Sequence, residues 1–112
     1  MKIVTDKIEI AELKEMAKKM YDNLVKAVVD IEKEIMAIDG GLHSDEQELL
    51  MEDGSNSQNL WGINICPEEV EKFIEFDSMI NIRPAVGNRT RGIESQEIRE
   101  KIINIVNKLV VK

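Results

Sequence analysis

Arginine, histidine and a few carboxylates are the residues of this chain with chemistry to offer, and their placement is uneven. All four arginines lie between positions 83 and 99, as Arg83, Arg89, Arg91 and Arg99, and every base outside that stretch is a lysine. The planar guanidinium fork suits carboxylate or phosphate, whereas lysine serves well as a solvated surface charge. Three of the four fall in the string Arg83-Pro84-Ala85-Val86-Gly87-Asn88-Arg89-Thr90-Arg91-Gly92. Gly87 and Gly92 permit backbone conformations in which successive amides point at one anion. Arg89 and Arg91 would supply forked donors, and Asn88 and Thr90 neutral ones, while Arg83 is open to a structural pairing with Asp77 or Glu75. The string is not a nucleotide-binding P-loop, because the Gly-Lys-Ser/Thr ending is absent. The expectation is a ligand site built from Arg83, Asn88, Arg89 and Arg91 that recognises a phosphate or carboxylate group. The competing reading is a surface loop whose arginines pair with the chain's own acids.

Asp77 and His43 are the candidates for proton transfer. If Phe73–Arg83 is a strand, Asn64, Glu75, Asp77, Asn81 and Arg83 share the polar face of a late hairpin. That face is either the floor of a pocket rimmed by the arginine loop or a sheet surface turned to solvent. His43 is the one histidine, beside Ser44-Asp45-Glu46, and its ordinary titration range suits a general base. Cys66 is the one cysteine, so no disulfide or cysteine-rich metal site is expected. No nucleophile–base pair is visible in the sequence. Binding is therefore expected ahead of catalysis, with a hydrolase or phosphotransfer activity through Asp77 or His43 as the alternative. A single histidine without a His-x-x-x-His or paired-Cys spacing assigns no metal site and no cofactor. A hard cation, needing only carboxylates and water, stays open for the acidic 30–53 region.

These residues need elements to hold them. Ile10, Leu13, Met16, Ala17, Met20 and Leu24 recur at helical spacing and predict an amphipathic helix over Ile10–Asp22. Over Leu24–Asp39 the period changes to alternation, which predicts a hairpin with Val29 opposite Met36 and Lys26 opposite Asp39. A two-residue turn at Glu32-Lys33 would be poor chemistry, so a bulge or longer loop is the alternative. Ser44 reads as the N-cap of a short second helix, with Gln47 completing a capping box. Trp61, Ile63 and Ile65 mark a strand ending at Pro67. A long strand over Phe73–Arg83 would pair Asn64 with Glu75 and Gly62 with Asp77. Ser95 caps a last helix whose apolar stripe is Ile98, Ile102, Ile105, Val106 and Leu109. With a short strand at Lys2–Thr5 the order is β-α-β-β-α-β-β-α. This predicts an α+β two-layer sandwich, a mainly antiparallel sheet of two hairpins with helices on one face.

With 112 residues, 43% of them hydrophobic, the chain is expected to fold as one domain over 1–112. Its 22 acids exceed its 15 Lys and Arg, for a net charge of −7, which disfavours nucleic acid and anionic membranes as partners. Aromatic residues make up only 4%, too few for a stacking platform along single strands. No apolar run approaches the roughly 20 residues of a membrane span, and the first residues meet charge too early for a signal peptide. The chain is expected in the cytoplasm. Nine acids and one base between Asp30 and Asp53, set against the later arginines, make an interaction or self-assembly role, as in a homodimer, the nearer alternative, ahead of an enzyme. An acidic protein surface would then replace a small anion as partner of the arginine loop.

Several strings carry a resemblance: Val28-Val29-Asp30-Ile31-Glu32, Gly40-Gly41-Leu42-His43 through Asp53-Gly54-Ser55, Leu60-Trp61-Gly62-Ile63-Asn64-Ile65, Ile80-Asn81-Ile82-Arg83-Pro84 and Gly87-Asn88-Arg89-Thr90-Arg91. Together they resemble a family of small prokaryotic proteins known only as a domain of unknown function, over nearly the whole chain. The resemblance implies no activity, cofactor or catalytic residue.

Overall fold

The alternation of Leu24–Asp39 does make a hairpin, and one buried carboxylate builds its turn. In the computed structural model, which describes Met1–Lys112, the elements in chain order are β1 (Lys2–Val4), β2 (Ile8–Glu9), α1 (Ile10–Met20), β3 (Val25–Asp30), β4 (Ile35–Ile38), α2 (His43–Glu52), β5 (Leu60–Ile65), β6 (Ile74–Glu75), α3 (Gln96–Leu109) and β7 (Val110–Val111). The Asp30 side chain accepts from the amides of Glu32 and Lys33, both at 2.9 Å. Glu34 closes the turn with a left-handed φ of 59° and its amide on the Asp30 carbonyl. The turn therefore spans Ile31–Glu34, and an Asx-type side chain does what the Glu-Lys pair could not. Val29 lies opposite Met36 as expected. Strand β4 ends at Ile38, so Lys26 and Asp39 do not form a ladder pair and Lys26 faces Asn64 of β5 instead.

The sheet runs β1-β4-β3-β5-β6, antiparallel throughout. Alternation gives each strand two distinct faces. Val25, Ala27 and Val29 of β3, Met36 and Ile38 of β4 and Trp61, Ile63 and Ile65 of β5 meet Leu13 and Ala17 of α1 and Ile102, Ile105, Val106 and Leu109 of α3 in one core. Val28, Ala37 and Leu60 point the other way and meet Leu50 of α2. The α+β class, the antiparallel sheet and the element order are as the sequence predicts. The one-face arrangement describes α1 and α3, while α2 covers the opposite face. Two short strands are additional: β2 and β7 pair in parallel and tie the start of α1 to the end of α3.

The long strand over Phe73–Arg83 is not formed. Strand β6 covers only Ile74–Glu75, with Asn64 opposite Glu75 as predicted and the Asn64 amide donating to the Glu75 carboxylate at 2.8 Å. The chain then leaves the sheet and makes a 3-10 turn at Met79–Asn81, capped by the Ser78 hydroxyl on the Ile80 amide. The Asn81 side chain takes the place of the missing strand. Its oxygen accepts from the Gly62 amide at 2.8 Å and its nitrogen donates to the Gly62 carbonyl at 2.9 Å. This approach needs a glycine, since a Cβ on Gly62 would lie 2.5 Å from Ser78. Asn81 is thus fully buried rather than turned to solvent. Ile80 joins the α2 side of the sheet, and Ile82 stays exposed.

Candidate functional site

The arginine loop is held by its own side chains. Asn88 is buried, and its amide nitrogen donates toward the carbonyls of Asn81 (2.6 Å), Gly92 (2.9 Å) and Thr90 (3.2 Å), while its oxygen accepts from the Glu94 amide at 2.8 Å. Every polar atom of that side chain is engaged inside the fold. Arg83 is similarly committed. It pairs with Asn88 across an isolated antiparallel bridge, stacks over Trp61 at 4.5 Å from the ring centre, and donates to the carbonyls of Ile80, Gln58 and Leu60. Burial lowers its pKa. Its guanidinium ends on these carbonyls, not on Asp77 or Glu75. Replacing Asn88 by Ala should cost about 2–4 kcal/mol, because buried carbonyls and an amide lose their partner, and urea unfolding of the variant measures it.

Arg89 and Arg91 remain. The Arg89 side chain is exposed, and only its backbone amide is held, by the Glu94 carboxylate at 2.6 Å. Arg91 is fixed from two sides. Its carbonyl accepts from the Ser78 amide at 2.9 Å and from the Asn81 side chain at 3.0 Å. Its Nε donates to Asp77 at 2.6 Å, with both side chains about half exposed. That single contact leaves the two terminal guanidinium nitrogens without hydrogen bonds.

His43 opens α2 and is more than nine-tenths buried, at 7% exposure. Its Nε2 lies 2.7 Å from the carbonyl oxygen of Ile63. A carbonyl only accepts, so Nε2 carries the proton and Nδ1 carries the lone pair. Burial lowers the His43 pKa, the Ile63 contact raises it by less, and Lys26, Asp77 and Arg91 act on it as nearby charges. The ring is therefore neutral at pH 7. Nδ1 has no partner in the fold and is not sealed from solvent. No hydrogen bond joins Asp77 to His43; Asp77 holds Arg91.

The helix start differs from the sequence expectation. Leu42, not Ser44, is the N-cap residue, with no side-chain cap. Glu46 reaches back to the Gly40 amide at 2.9 Å, which pulls the helix start forward and leaves Ser44 inside the first turn. Ser44 is then free to line a cleft of about 260 Å³ with His43, Lys26 of β3, Ser78, Arg91 and the apolar Leu42, Met79 and Ile80. Lys26 sits over the Tyr21 ring at 5.1 Å, and the Tyr21 hydroxyl is anchored on the Gly41 carbonyl. The first-turn amides of a helix lack intrahelical acceptors, and the helix dipole adds partial positive charge there.

A larger cavity, about 530 Å³, lies under the arginine loop among Trp61, Asn88, Glu94, Ser95 and Ile98. Its only charged lining residue is the Glu94 carboxylate, which repels an anion. The smaller cleft gathers both cations and is the better anion site on charge. The acids of 30–53 do not converge: nowhere are three His, Cys, Asp or Glu side chains placed to hold a metal ion together. Burial and the charges of Glu75 and Glu69 raise the Cys66 thiol pKa, which suppresses the thiolate. No helix is long and apolar enough to cross a membrane.

A family model spans residues 2–109. The chain belongs to DUF5674, a family of proteins of unknown function. No curated protein and no solved structure matches it. Membership in DUF5674 agrees with the resemblance carried by the quoted strings. The likeness brings no residue role, so the site rests on its geometry. The sequence reading had His43 and Arg91 in separate candidate sites; it missed Lys26, Ser44 and Ser78. Nothing in their local spacing marks them, because three separate segments bring them together.

Proposed function

We propose that this protein is a small binding module for an anionic group, a phosphate or carboxylate, held in the cleft at the start of α2. The observation that carries this reading is the convergence of Lys26 and Arg91 on the first turn of α2, beside the Ser44 and Ser78 hydroxyls, in a chain of net charge −7. Two cations gathered in one concave place on an acidic protein favour an anion there. Asp77 orients Arg91 through Nε, and the free end of the guanidinium presents the fork. Leu42 and Met79 form an apolar lip, each more than half exposed, to meet the organic part of a ligand. Arg83 and Asn88 support this site by shaping the loop rather than by touching the anion. A hydrolase or phosphotransfer reading is weaker, since Asp77 is engaged by Arg91 and is not linked to His43. The homodimer reading has in its favour the exposed Arg89 and the exposed apolar Val86 of the same loop, but it gives no role to the cations gathered in the cleft. A cytoplasmic setting goes with the binding reading and suits a lone cysteine with a suppressed thiolate.

The test is a thermal-shift series with inorganic phosphate, acetate and citrate at matched ionic strength. A ligand that binds only the folded state raises the melting temperature. Replacing Arg91 by Ala should abolish the shift while changing stability by only about 0–1 kcal/mol, as for an exposed ion pair. Arg91→Lys should restore part of it, because a point charge lacks the fork. Arg89→Ala should leave it intact. A shift that survives Arg91→Ala, or no shift with any of these anions, would count against the reading.

A further inference from the structure

Two cations explain attraction to any anion, but one group in the cleft does not fit a fully deprotonated one. His43 supplies an acceptor, not a donor. Its Nε2 proton is committed to the Ile63 carbonyl at 2.7 Å, and its unpartnered Nδ1 lone pair belongs to a ring that lines the cleft. An oxyanion without a proton would set an oxygen lone pair against that nitrogen. An oxyanion that still carries one hydroxyl would donate to Nδ1 while its other oxygens take Lys26, Arg91 and the serine hydroxyls. We infer that the cleft selects a monoprotonated phosphate, either hydrogen phosphate or the monoanion of a phosphomonoester, over sulfate. This rests on the anion-binding reading above and narrows it to one ligand chemistry.

The surroundings hold His43 in the acceptor state. Burial does most to disfavour a protonated ring, and Lys26 from β3 and Arg91 from the arginine loop add to it. Asp77, ahead of the same loop, acts in the opposite sense. Its charge is already shared with Arg91. On the helix itself, Asp45 and Glu46 follow His43, and Glu46 is kept neutral by its own burial. The Ile63 carbonyl fixes the tautomer, because a neutral ring turned to set its acceptor nitrogen on that oxygen would lose the hydrogen bond and oppose two lone pairs. Phosphate brings its own proton to such a site. Sulfate has none to bring and needs His43 to take one from solvent.

The experiment is calorimetric titration of the wild-type protein with inorganic phosphate and with sulfate, at about pH 8 and at about pH 5.5, with ionic strength matched. At the higher pH phosphate should bind at least about tenfold more tightly than sulfate, the worth of one well-formed hydrogen bond against an unpaired acceptor. At the lower pH the gap should narrow, because acid favours the protonated His43 ring that can donate to sulfate. A long-range proton–nitrogen spectrum of the phosphate complex at the higher pH should find Nε2 still protonated and Nδ1 shifted as an acceptor. Equal affinity for the two anions at the higher pH, or a phosphate complex with both ring nitrogens protonated, overturns the selectivity and leaves the anion site standing. Binding of neither anion at either pH overturns both. His43→Gln adds a separate check. If it folds, it should narrow the gap between the anions at the higher pH without abolishing binding of either, and an unchanged gap overturns the role of Nδ1.

Discussion

Replacing Ile102 by Asp should yield a chain with no cooperative thermal transition. Ile102 is fully buried on α3, in the core shared with Leu13 of α1 and with Trp61, Ile63 and Ile65 of β5. Every member of that core cluster is hydrophobic and none carries a positive charge, the one polar hydrogen being the Trp61 indole N–H, so no ion-pair partner awaits a carboxylate there. The acid would either remain charged at a cost of several kcal/mol or take up a proton with its hydrogen-bonding groups unmet. The lost aliphatic packing adds about 2–5 kcal/mol, by analogy with large-to-small core changes. Together these approach or exceed a total stability of roughly 5–15 kcal/mol. Ile102→Val is the control, expected to cost about 0.5–1.5 kcal/mol and keep a sharp transition. Circular-dichroism melts compare the three chains. An Asp variant melting near the wild type would place α3 away from the sheet.

The same core shows what local pattern can and cannot reveal. The stripe on α3 and the alternation in β3 and β4 are short-range signals, and both elements form where the pattern puts them, within a residue or two of the expected ends. The register Asn64 to Glu75 was also legible, because alternation leaves few ways to pair two strands. The stretch from Phe76 to Arg83 alternates just as well, yet it is not a strand. Its pattern is overridden by Asn81, whose amide pairs with Gly62 from another part of the chain. A contact of that range has no periodic signature. The candidate site divides in the same way. An arginine cluster and a lone histidine announce themselves by composition, and they point to Arg91 and His43, two of the residues that line the cleft. That Asn88 and Arg83 spend their hydrogen bonds on loop carbonyls, while Arg91 meets His43 at one cleft, depends on how the loop folds back over Ser78 and Asn81. Placement of α2 on the second face follows from Val28, Ala37 and Leu60, apolar on the side that a two-layer arrangement would leave without helices.

Glu46→Gln is expected to remove a loss of stability that the wild type suffers as pH rises. Glu46 is fully buried one turn after His43 on the inward side of α2. One carboxyl oxygen accepts from the Gly40 amide at 2.9 Å and the other has no partner. The fit is close: a Cβ on Gly40 would lie 2.6 Å from the Glu46 side chain. Burial pushes this carboxyl up to about 9 from an ordinary 4.5, outweighing the Gly40 amide and Lys26, which favour the charged form. In the unfolded chain the group loses its proton near its ordinary value. Between those two values the folded state holds a proton that the unfolded state has released. Stability therefore falls as pH rises through that window and levels off above it, with a slope limited to about 1.4 kcal/mol per pH unit. Glutamine keeps the shape and an oxygen for the Gly40 amide but does not titrate. Urea unfolding of both proteins at intervals from about pH 5 to about pH 9 should give a stability difference that grows in favour of Glu46→Gln with pH. A difference that stays flat across the range would mean that Glu46 is ionised in the folded protein, and that its second oxygen finds a partner.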